Sequence, residues 1–282
     1  MKKQDSLRPQ LQCGRFRLDL SVPRVMAILN VTPDSFSGDG VAQNTGAALA
    51  HAENLIEQGA DLLDVGGEST RPGSTAVSEQ EELDRVLPVV EALADSGVPV
   101  SVDTTKPAVM AAAIAAGAAM INDINAFRTP GAIEAVADSS AALCVMHMQG
   151  QPRTMQTAPH YMDVVGEVEA FLETRIQALV AAGVNDGRIL LDPGFGFGKT
   201  LEHNLALLRA MPRFSRRYPV LAGMSRKSML GRITGKPVEE RLAASVAAAL
   251  MAVEGGARIV RVHDVAATRD ALEVWKAVRE QA

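Results

Sequence analysis

Hydrophobic and polar positions along the chain follow a repeating pattern that predicts alternating strands and helices. Short apolar runs rich in β-branched residues alternate with longer, alanine-rich stretches of helical character. Repeated βα units of this kind build a parallel sheet with helices packed outside it. We predict eight such units, with strands at residues 25–29, 61–65, 98–102, 119–122, 143–146, 189–191, 220–222 and 259–262.

Polar residues at the ends of these strands indicate how the sheet closes. In a barrel these ends converge on one mouth, whereas an open doubly wound sheet would spread them along a line. We therefore predict a single α/β domain over residues 1–282, a (β/α)8 TIM barrel. A stretch of alternating residues at 14–20 predicts a short N-terminal β-hairpin that closes the lower end, after a flexible extension of about residues 1–13. The strand-end residues are Asn30, Glu68, Asp103, Asn122, Asp123, His147, Asp192, Ser225, Lys227, Arg261 and His263.

Composition narrows the class of protein further. The 282 residues are 47% hydrophobic, which suffices for one large core, and the net charge of -5 contains no long run of either sign. This balance argues against a nucleic-acid or membrane surface, and no segment approaches the roughly 20 apolar residues of a membrane span. The two cysteines and five scattered histidines suggest neither a disulfide framework nor a transition-metal site. We expect a soluble, cytoplasmic protein.

An acidic chain that binds an anion needs a local cationic cluster. Lys227 follows the seventh predicted strand, and Arg261 and His263 lie at the end of the eighth, so all three face the same mouth. Arg71 lies in a loop with Pro and Gly after the second strand, where a solvated arginine is the alternative interpretation. Arg226 could equally lie on a helix surface.

A second set of polar residues offers both donors and acceptors of hydrogen bonds. Asp103, Asn122 and Asp192 come from three strands, and their amide and carboxylate groups match the donor and acceptor edge of a fused, guanidine-like heterocycle. Helix capping is the simpler role of any one of them. We expect Asp123, which points to the other side of its strand, to be structural, and His147 to be a hydrogen-bonded shaping residue.

The glycine-rich run after the sixth predicted strand invites comparison with a phosphate-binding loop. The comparison fails because Pro193 stands where the motif requires its first glycine. The glycines more plausibly let the backbone and Phe197 approach a flat ligand closely. We expect Lys199, at the end of the run, to be a solvated loop charge.

These motifs together resemble the signatures of dihydropteroate synthases, in order and from about residue 14 to the end of the chain. The matching segments are Asn30-Val-Thr-Pro-Asp-Ser-Phe36, Asp64-Val-Gly-Gly-Glu-Ser-Thr-Arg-Pro-Gly73, Ser101-Val-Asp-Thr-Thr-Lys-Pro107, Ile121-Asn-Asp-Ile124, Met146-His-Met-Gln-Gly150, Asp192-Pro-Gly-Phe-Gly-Phe-Gly-Lys199, Ser225-Arg-Lys-Ser228 and Arg261-Val-His-Asp-Val265.

The resemblance implies a (β/α)8 barrel that joins p-aminobenzoate to 6-hydroxymethyl-7,8-dihydropterin diphosphate and releases diphosphate, in folate biosynthesis. It also implies a homodimer, a function as the target of sulfonamides, and Mg2+ coordinated by Asn30 and the diphosphate. Helices around residues 243–251 could form the dimer contact. The implied catalytic residues are Asp103, Lys227, Arg261 and Asn30.

The same resemblance assigns binding roles to residues at the mouth. The pterin would contact Asp103, Asn122, Asp192, Lys227 and Arg261, together with Phe197 of the glycine-rich run. The diphosphate would contact Asn30, Arg261 and His263, and p-aminobenzoate would contact Phe36, Thr70, Arg71, Pro72, Lys227 and Ser228.

Two loops depart slightly from the family pattern. The first reads Ser37-Gly-Asp-Gly40 where Ser-Asp-Gly-Gly is usual, and the second continues Gly73-Ser-Thr where Gly-Ala is commoner. Two other functions compete with the synthase. A pterin-binding methyltransferase would need no diphosphate site, and a non-catalytic pterin-binding paralogue would not need the complete anion and loop motifs.

Overall fold

Eight parallel strands form the centre of the fold, preceded by an antiparallel pair. The computed structural model describes residues 10–32, 41–69 and 77–280, with the backbone alone for residues 41–44 and 280. The strands are β1 (Gln10–Cys13), β2 (Phe16–Asp19), β3 (Arg24–Asn30), β4 (Leu62–Gly66), β5 (Val100–Asp103), β6 (Met120–Asp123), β7 (Ala142–Met146), β8 (Ile189–Asp192), β9 (Leu221–Ala222) and β10 (Ile259–Val262).

Helices follow the barrel strands along the chain, as the alternating pattern predicts. They are α1 (Val41–Glu57), α2 (Glu79–Leu93), α3 (Pro107–Ala115), α4 (Ala132–Ala137), α5 (Val164–Ala181), α6 (Leu201–Arg209), α7 (Met211–Phe214), α8 (Ser228–Thr234), α9 (Leu242–Glu254) and α10 (Val265–Glu280). Short 3-10 turns occur at Asp186–Arg188 and Val238–Glu240. Within the described ranges, no helix is both long and apolar enough to cross a membrane.

Strand pairing confirms the predicted (β/α)8 barrel. The parallel strands hydrogen-bond in the order β8-β7-β6-β5-β4-β3-β10-β9. A parallel bridge between Leu191 and Val220 joins the two outer strands and closes the ring. Each predicted strand lies within two residues of an observed one, but several continue farther toward the carboxyl end. Asn30, Asp103 and Asp192 are therefore the last residues of strands, with their backbone held by the sheet.

The predicted N-terminal hairpin is also present, and it closes the lower end of the barrel. β1 pairs with β2, and Gly14 adopts a φ of +58° in the turn between them. Residues Gln10–Cys13 thus belong to the hairpin, whereas the sequence pattern assigned them to a flexible extension; residues 1–9 lie outside the described chain. The Cys13 thiol donates to the carbonyl oxygen of Ala119 at 3.3 Å, which joins the hairpin to the barrel.

Alternation along the strands divides the barrel interior into an apolar lower half and a polar upper half. Outward residues such as Leu63, Val65 and Ile121 pack against the helices. Each inward leucine, isoleucine or methionine of the lower half contributes about 1.5–3 kcal/mol when buried. The lower half consists of Met26, Leu62, Met120, Ala142, Cys144, Leu190, Leu221 and Ile259, with Leu11, Cys13 and Leu20 packed beneath.

Candidate active site

The upper half of the barrel interior brings charged and amide side chains together at the mouth. Asp64, Asn122, Asp192 and Arg261 each follow an inward apolar residue by two positions, so they face inward as well. Register places Asp103 beside Asn122 on neighbouring strands. The strand ends predict that Asp103, Asn122, Asp192 and Arg261 converge here. The structure brings these four together, with Asp64 beside them.

Arg261 lies between two carboxylates at the centre of the mouth. Its Nε donates to Asp64 Oδ2 at 2.5 Å, and its second terminal nitrogen donates to Asp103 Oδ2 at 3.1 Å. Burial alone would lower the pKa of Arg261, but Asp64 and Asp103 raise it above the usual value. Burial raises the pKa of Asp103 to about 7, with Asp64 adding to the rise and Arg261 opposing it. One guanidinium cannot fully compensate two buried carboxylates.

Buried polar atoms at the mouth are left for a ligand. Asn122 Nδ2 donates to Asp64 Oδ2 at 3.1 Å. In the described chain, Asn122 Oδ1, Asp64 Oδ1 and Ser101 Oγ are buried without a hydrogen-bond partner. Because an unsatisfied buried polar atom costs about 1–3 kcal/mol, such atoms mark places where a ligand or water completes the hydrogen bonding. An amide oxygen and a carboxylate oxygen together accept from the N–H groups of a heterocycle.

Lys227 and Asp192 lie near this network and influence each other's charge. Lys227 Nζ donates to the carbonyl oxygen of Phe195 and lies 4.7 Å from the ring centroid of Phe197. Burial lowers the pKa of Lys227 to about 8, although Asp192 and Asp103 oppose the change. Burial likewise raises the pKa of Asp192, with Lys227 opposing. Asp192 Oδ1 also accepts from the backbone N–H of Gly194 at 2.7 Å.

Phe197 gives the mouth an apolar wall. Its ring packs against a small cluster formed by Ile124, Met146, Met148 and Met155, separate from the main core. A flat ring and flexible methionine side chains suit the face of a planar ligand. The polar edge and the apolar wall therefore lie in one site.

Asn30 and His263 extend the mouth toward its rim. A Cβ atom on Gly66 would lie 3.7 Å from Asn30 Oδ1 and 3.8 Å from Asp103 Cβ, so both side chains flank this glycine. The Ser225 hydroxyl lies 3.0 Å from His263 Nδ1 and accepts from the His263 backbone N–H at 3.2 Å. Together with Arg261, the predicted anion-binding residues lie at the end of β3 and at or just after the end of β10.

Comparison with known proteins identifies the family. A model of the pterin binding enzyme family matches residues 26–263. The chain is 52% identical over 275 residues to the dihydropteroate synthase of Neisseria meningitidis serogroup B, covering 95% of this chain and 96% of the relative. The chain belongs to the dihydropteroate synthase family of pterin-binding enzymes.

Solved dihydropteroate synthases share the fold over nearly the whole length. The Burkholderia cenocepacia enzyme, complexed with 7,8-dihydropteroate, is 58% identical and superposes with a TM-score of 0.89, covering 98% of each chain. The Yersinia pestis enzyme, solved with a sulfonamide drug complex, is 50% identical with a TM-score of 0.90, covering 96% of this chain and 99% of its own.

Several residues expected at the p-aminobenzoate site of a dihydropteroate synthase lie outside the described chain. These are Phe36, Thr70, Arg71 and Pro72. Ser228 is described, and it is the exposed first residue of α8, directly after Lys227.

Asp64 belongs to the network at the mouth but is not among the residues that the strand ends predict there. It is fully buried and accepts hydrogen bonds from both Arg261 and Asn122. Its signal was present in the sequence, because a carboxylate two positions after Leu62 must face the barrel interior. Polar residues at strand ends did not include Asp64, because it lies inside β4, two residues before the end.

The structure corrects one expectation about a cation near the mouth. Lys199 is expected to be a solvated loop charge, but it is only 3% exposed and its Nζ contacts His147 Nδ1 at 2.9 Å.

The alternative of a surface position for Arg226 is met in part. Its side chain is 40% exposed, but the residue precedes α8 with a φ of +57°, and its Nε donates to Asp264 at 3.0 Å.

Two other residues behave as the sequence analysis expected. Asp123 accepts from the backbone N–H groups of Asn125 and Phe127, at 2.7 and 2.6 Å, and so shapes the loop after β6. His147 is buried with its ring edge-to-face against Phe171, at a centroid distance of 4.9 Å. Burial, and then the nearby charge of Lys199, lowers the pKa of His147 to about 3. Its imidazole is therefore neutral at physiological pH.

Proposed function

We propose that the mouth of the barrel binds 6-hydroxymethyl-7,8-dihydropterin diphosphate and p-aminobenzoate and joins them. The products are 7,8-dihydropteroate and inorganic diphosphate, and the chain is a transferase of folate biosynthesis. The observation that carries this function is the network of Asp64, Asp103, Asn122 and Arg261, in a chain of the dihydropteroate synthase family. In this network, the carboxylate and amide groups can bind the edge of a pterin, and the guanidinium of Arg261 can stabilise the departing diphosphate.

The pterin would lie across the network, with its edge toward the strands. Asp103, Asn122 and Asp192 would accept from the ring and amino N–H groups, and the ammonium of Lys227 would donate to the opposite, acceptor side of the ring. The Arg261 guanidinium would lie over one face of the ring, and Phe197 would provide the apolar wall. The buried, unsatisfied Oδ1 atom of Asn122 supports this orientation.

Departure of the diphosphate would leave positive charge on the pterin methylene. The carbon–oxygen bond breaks with its electron pair on the diphosphate, the aniline nitrogen bonds to the methylene, and the nitrogen then loses a proton. Asp64 and Asp103 would favour the developing cation, while Arg261 and His263 would favour the departing anion. No side-chain nucleophile is required, since the electron-rich ring stabilises the cation and the protein holds the amine in position.

Asn30 fits a role as the protein ligand of Mg2+. Its amide oxygen flanks Gly66 at the mouth, next to Asp103, and offers a neutral hard ligand. Mg2+ usually keeps water and substrate phosphate oxygens and takes only one or two ligands from the protein, so a single asparagine is sufficient. Bound there, Mg2+ would neutralise charge on the leaving diphosphate.

p-Aminobenzoate would bind at residues of the first two predicted loops and at the start of α8. We assign it to Phe36, Thr70, Arg71 and Pro72, with Lys227 and Ser228. Sulfonamides imitate p-aminobenzoate and should compete with it here, as the sulfonamide complex of the Yersinia pestis enzyme supports. Inhibition that added p-aminobenzoate cannot relieve would contradict this assignment.

We further propose that the enzyme is a cytoplasmic homodimer. The dimer contact would include α9, where Leu242 and Met251 are 44% and 60% exposed. A subunit contact over this helix would remove exposed apolar surface from water. A cytoplasmic location suits an enzyme with small, charged substrates and two free, buried cysteines.

The pterin assignment can be tested by measuring binding of 6-hydroxymethylpterin by calorimetry. Asp192→Asn should weaken binding about tenfold to a hundredfold, because it removes a charged acceptor from the recognition edge. The KM for p-aminobenzoate should change little. Asp138→Asn, at an exposed helix end, is the matched control and should bind as the unmodified protein does. Unchanged pterin affinity in Asp192→Asn would refute the assignment.

A further inference from the structure

Lys199 is a buried lysine that the proposed reaction does not use, and burial lowers its pKa well below the usual value. Its Nζ lies 2.8 Å from the carbonyl oxygen of Gly194, 2.9 Å from that of Phe197 and 2.9 Å from Nδ1 of His147. A fourth acceptor, the carbonyl oxygen of His147, lies at 3.3 Å. All of these partners are uncharged. Burying a lysine among neutral groups is costly, and its hydrogen bonds offset only part of that cost.

The three short contacts of Lys199 join it to two carbonyl oxygens and one imidazole nitrogen. The nitrogen atoms of Lys199 and His147 share one hydrogen bond, so the two side chains form one hydrogen-bonded unit. Both follow the carboxyl ends of strands, so this unit lies beside the mouth.

This unit holds the segment of residues 193–199, here named the β8 loop. Gly194 and Gly198 have φ values of +72° and +61°. Cβ atoms at these positions would lie 1.9 Å from the carbonyl oxygen of His147 and 2.4 Å from that of Gln149. The loop therefore packs backbone to backbone against the chain after β7, and Lys199 joins the two by binding carbonyl oxygens on both sides.

The β8 loop in turn contacts the residues assigned to the pterin. The Gly194 N–H donates to Asp192 Oδ1 at 2.7 Å, while the Gly194 carbonyl oxygen accepts from Lys199. The Phe195 carbonyl oxygen accepts from Lys227. Phe197, whose carbonyl oxygen also binds Lys199, places its ring 4.7 Å from the Lys227 ammonium.

We propose that Lys199 is a positioning residue for pterin recognition. Through the carbonyl oxygens of Gly194 and Phe197 it fixes the β8 loop, and the loop fixes Asp192, Lys227 and the Phe197 ring. Lys199 acts through these groups and not on the reacting atoms. The inference rests on the proposed function, because it assumes that Asp192 and Lys227 contact the pterin.

The first test replaces Lys199 by methionine, which has a similar length but no donor. Binding of 6-hydroxymethylpterin should weaken about tenfold or more, since small displacements of recognition groups have effects of this size. The KM for p-aminobenzoate should change less than about twofold, because most of its assigned residues lie on other loops. Lys236→Met, the same substitution at an exposed lysine, should alter neither quantity.

The second test uses the histidine of the pair. His147→Asn keeps an amide that can donate or accept a hydrogen bond near the position of Nδ1, whereas His147→Leu removes any such group. The asparagine variant should bind 6-hydroxymethylpterin more tightly than the leucine variant. Circular dichroism shows whether Lys199→Met folds. If it does not, the comparison of the two His147 variants still tests the role of Lys199.

Two outcomes would overturn the proposal. One is pterin affinity in folded Lys199→Met equal to that of the unmodified protein. The other is equal pterin affinity in the two His147 variants. Asp192→Asn, measured in the same way, shows which assumption has failed. If Asp192→Asn also binds pterin normally, the assigned pterin site is wrong. If Asp192→Asn binds pterin weakly while the Lys199 and His147 variants do not show the expected loss, only the positioning role of Lys199 is wrong.

Discussion

Asp64 connects the recognition edge of the site to its cation. The carboxylate is fully buried and accepts from Arg261 at 2.5 Å and from Asn122 at 3.1 Å. Removing one partner from a buried charge pair usually costs about 3–5 kcal/mol because the other charge is left uncompensated. At the scale of single residues, Asp64 is therefore both a stability determinant and an orienting group for Arg261.

We predict that Asp64→Asn lowers both the unfolding free energy and kcat/KM for the pterin diphosphate. The amide preserves the side-chain volume but removes the charge that orients Arg261, so activity should fall about a hundredfold or more. Urea unfolding and steady-state kinetics measure the two effects. Asp95→Asn, which removes an exposed partner of Arg15, should leave both unchanged. Equal behaviour of the two variants would show that Asp64 does not organise the site.

Lys227 gives the site a dependence on pH. Burial lowers its pKa from 10.5 to about 8, so the ammonium is present below that pH and is lost as the pH rises through it. If the ammonium donates to the pterin, kcat/KM for the pterin diphosphate should fall above about pH 8, since this parameter reports the free enzyme. Lys227→Arg should remove this fall, because arginine stays protonated. A fall that persists in the arginine variant must come from another group.

At the scale of elements, the β8 loop shows how backbone geometry supports side-chain chemistry. We predict that Gly194→Ala destabilises the protein far more than Gly183→Ala. Both glycines have positive φ values, +72° and +90°, so both substitutions cost about 1–2 kcal/mol of backbone strain. Only at Gly194 would the new methyl group meet backbone, 1.9 Å from the His147 carbonyl oxygen, whereas nothing lies within 4 Å at Gly183.

Urea unfolding and pterin binding distinguish the two glycine variants. Gly194→Ala should also lose pterin affinity, because the loop that carries Phe197 must move. Equal destabilisation of both variants, with normal pterin binding, would mean that the close packing of the β8 loop has no role.

The sequence predicted the elements well because hydrophobic alternation and strand-end residues carry local information. The hairpin begins earlier than predicted because Gly14 lies in the turn between its two strands. The first strand therefore precedes Gly14 instead of starting there. Lys199 could not be placed from the sequence, since its burial depends on carbonyl oxygens that converge only in the folded chain. Asp64 could have been found from the alternation of side chains along a strand, because a residue two positions before the strand end faces the same side as the strand-end residue.

At the scale of the whole molecule, the barrel interior divides into an apolar layer and a charged layer. The lower interior is apolar and closed by the hairpin, while the upper interior holds the charged network. The surface of α9 lies outside both layers, so a subunit contact there should not disturb the mouth.

We predict that Met251→Glu converts the proposed dimer to a monomer with little loss of kcat. Met251 is 60% exposed on α9, and a charge in an apolar contact opposes association. Val180→Glu, at a 43% exposed position on α5, is the control and should remain dimeric. Analytical ultracentrifugation gives the mass of each. If the unmodified protein is a monomer, the proposed dimer does not exist. If Met251→Glu remains dimeric, the contact lies elsewhere on the surface.

We conclude that this mouth both holds the pterin and releases its diphosphate. The most direct test measures release of inorganic diphosphate from 6-hydroxymethyl-7,8-dihydropterin diphosphate with Mg2+, with and without p-aminobenzoate. We predict turnover that requires p-aminobenzoate and yields one dihydropteroate for each diphosphate released. Tight binding of the pterin without release of diphosphate would contradict this function.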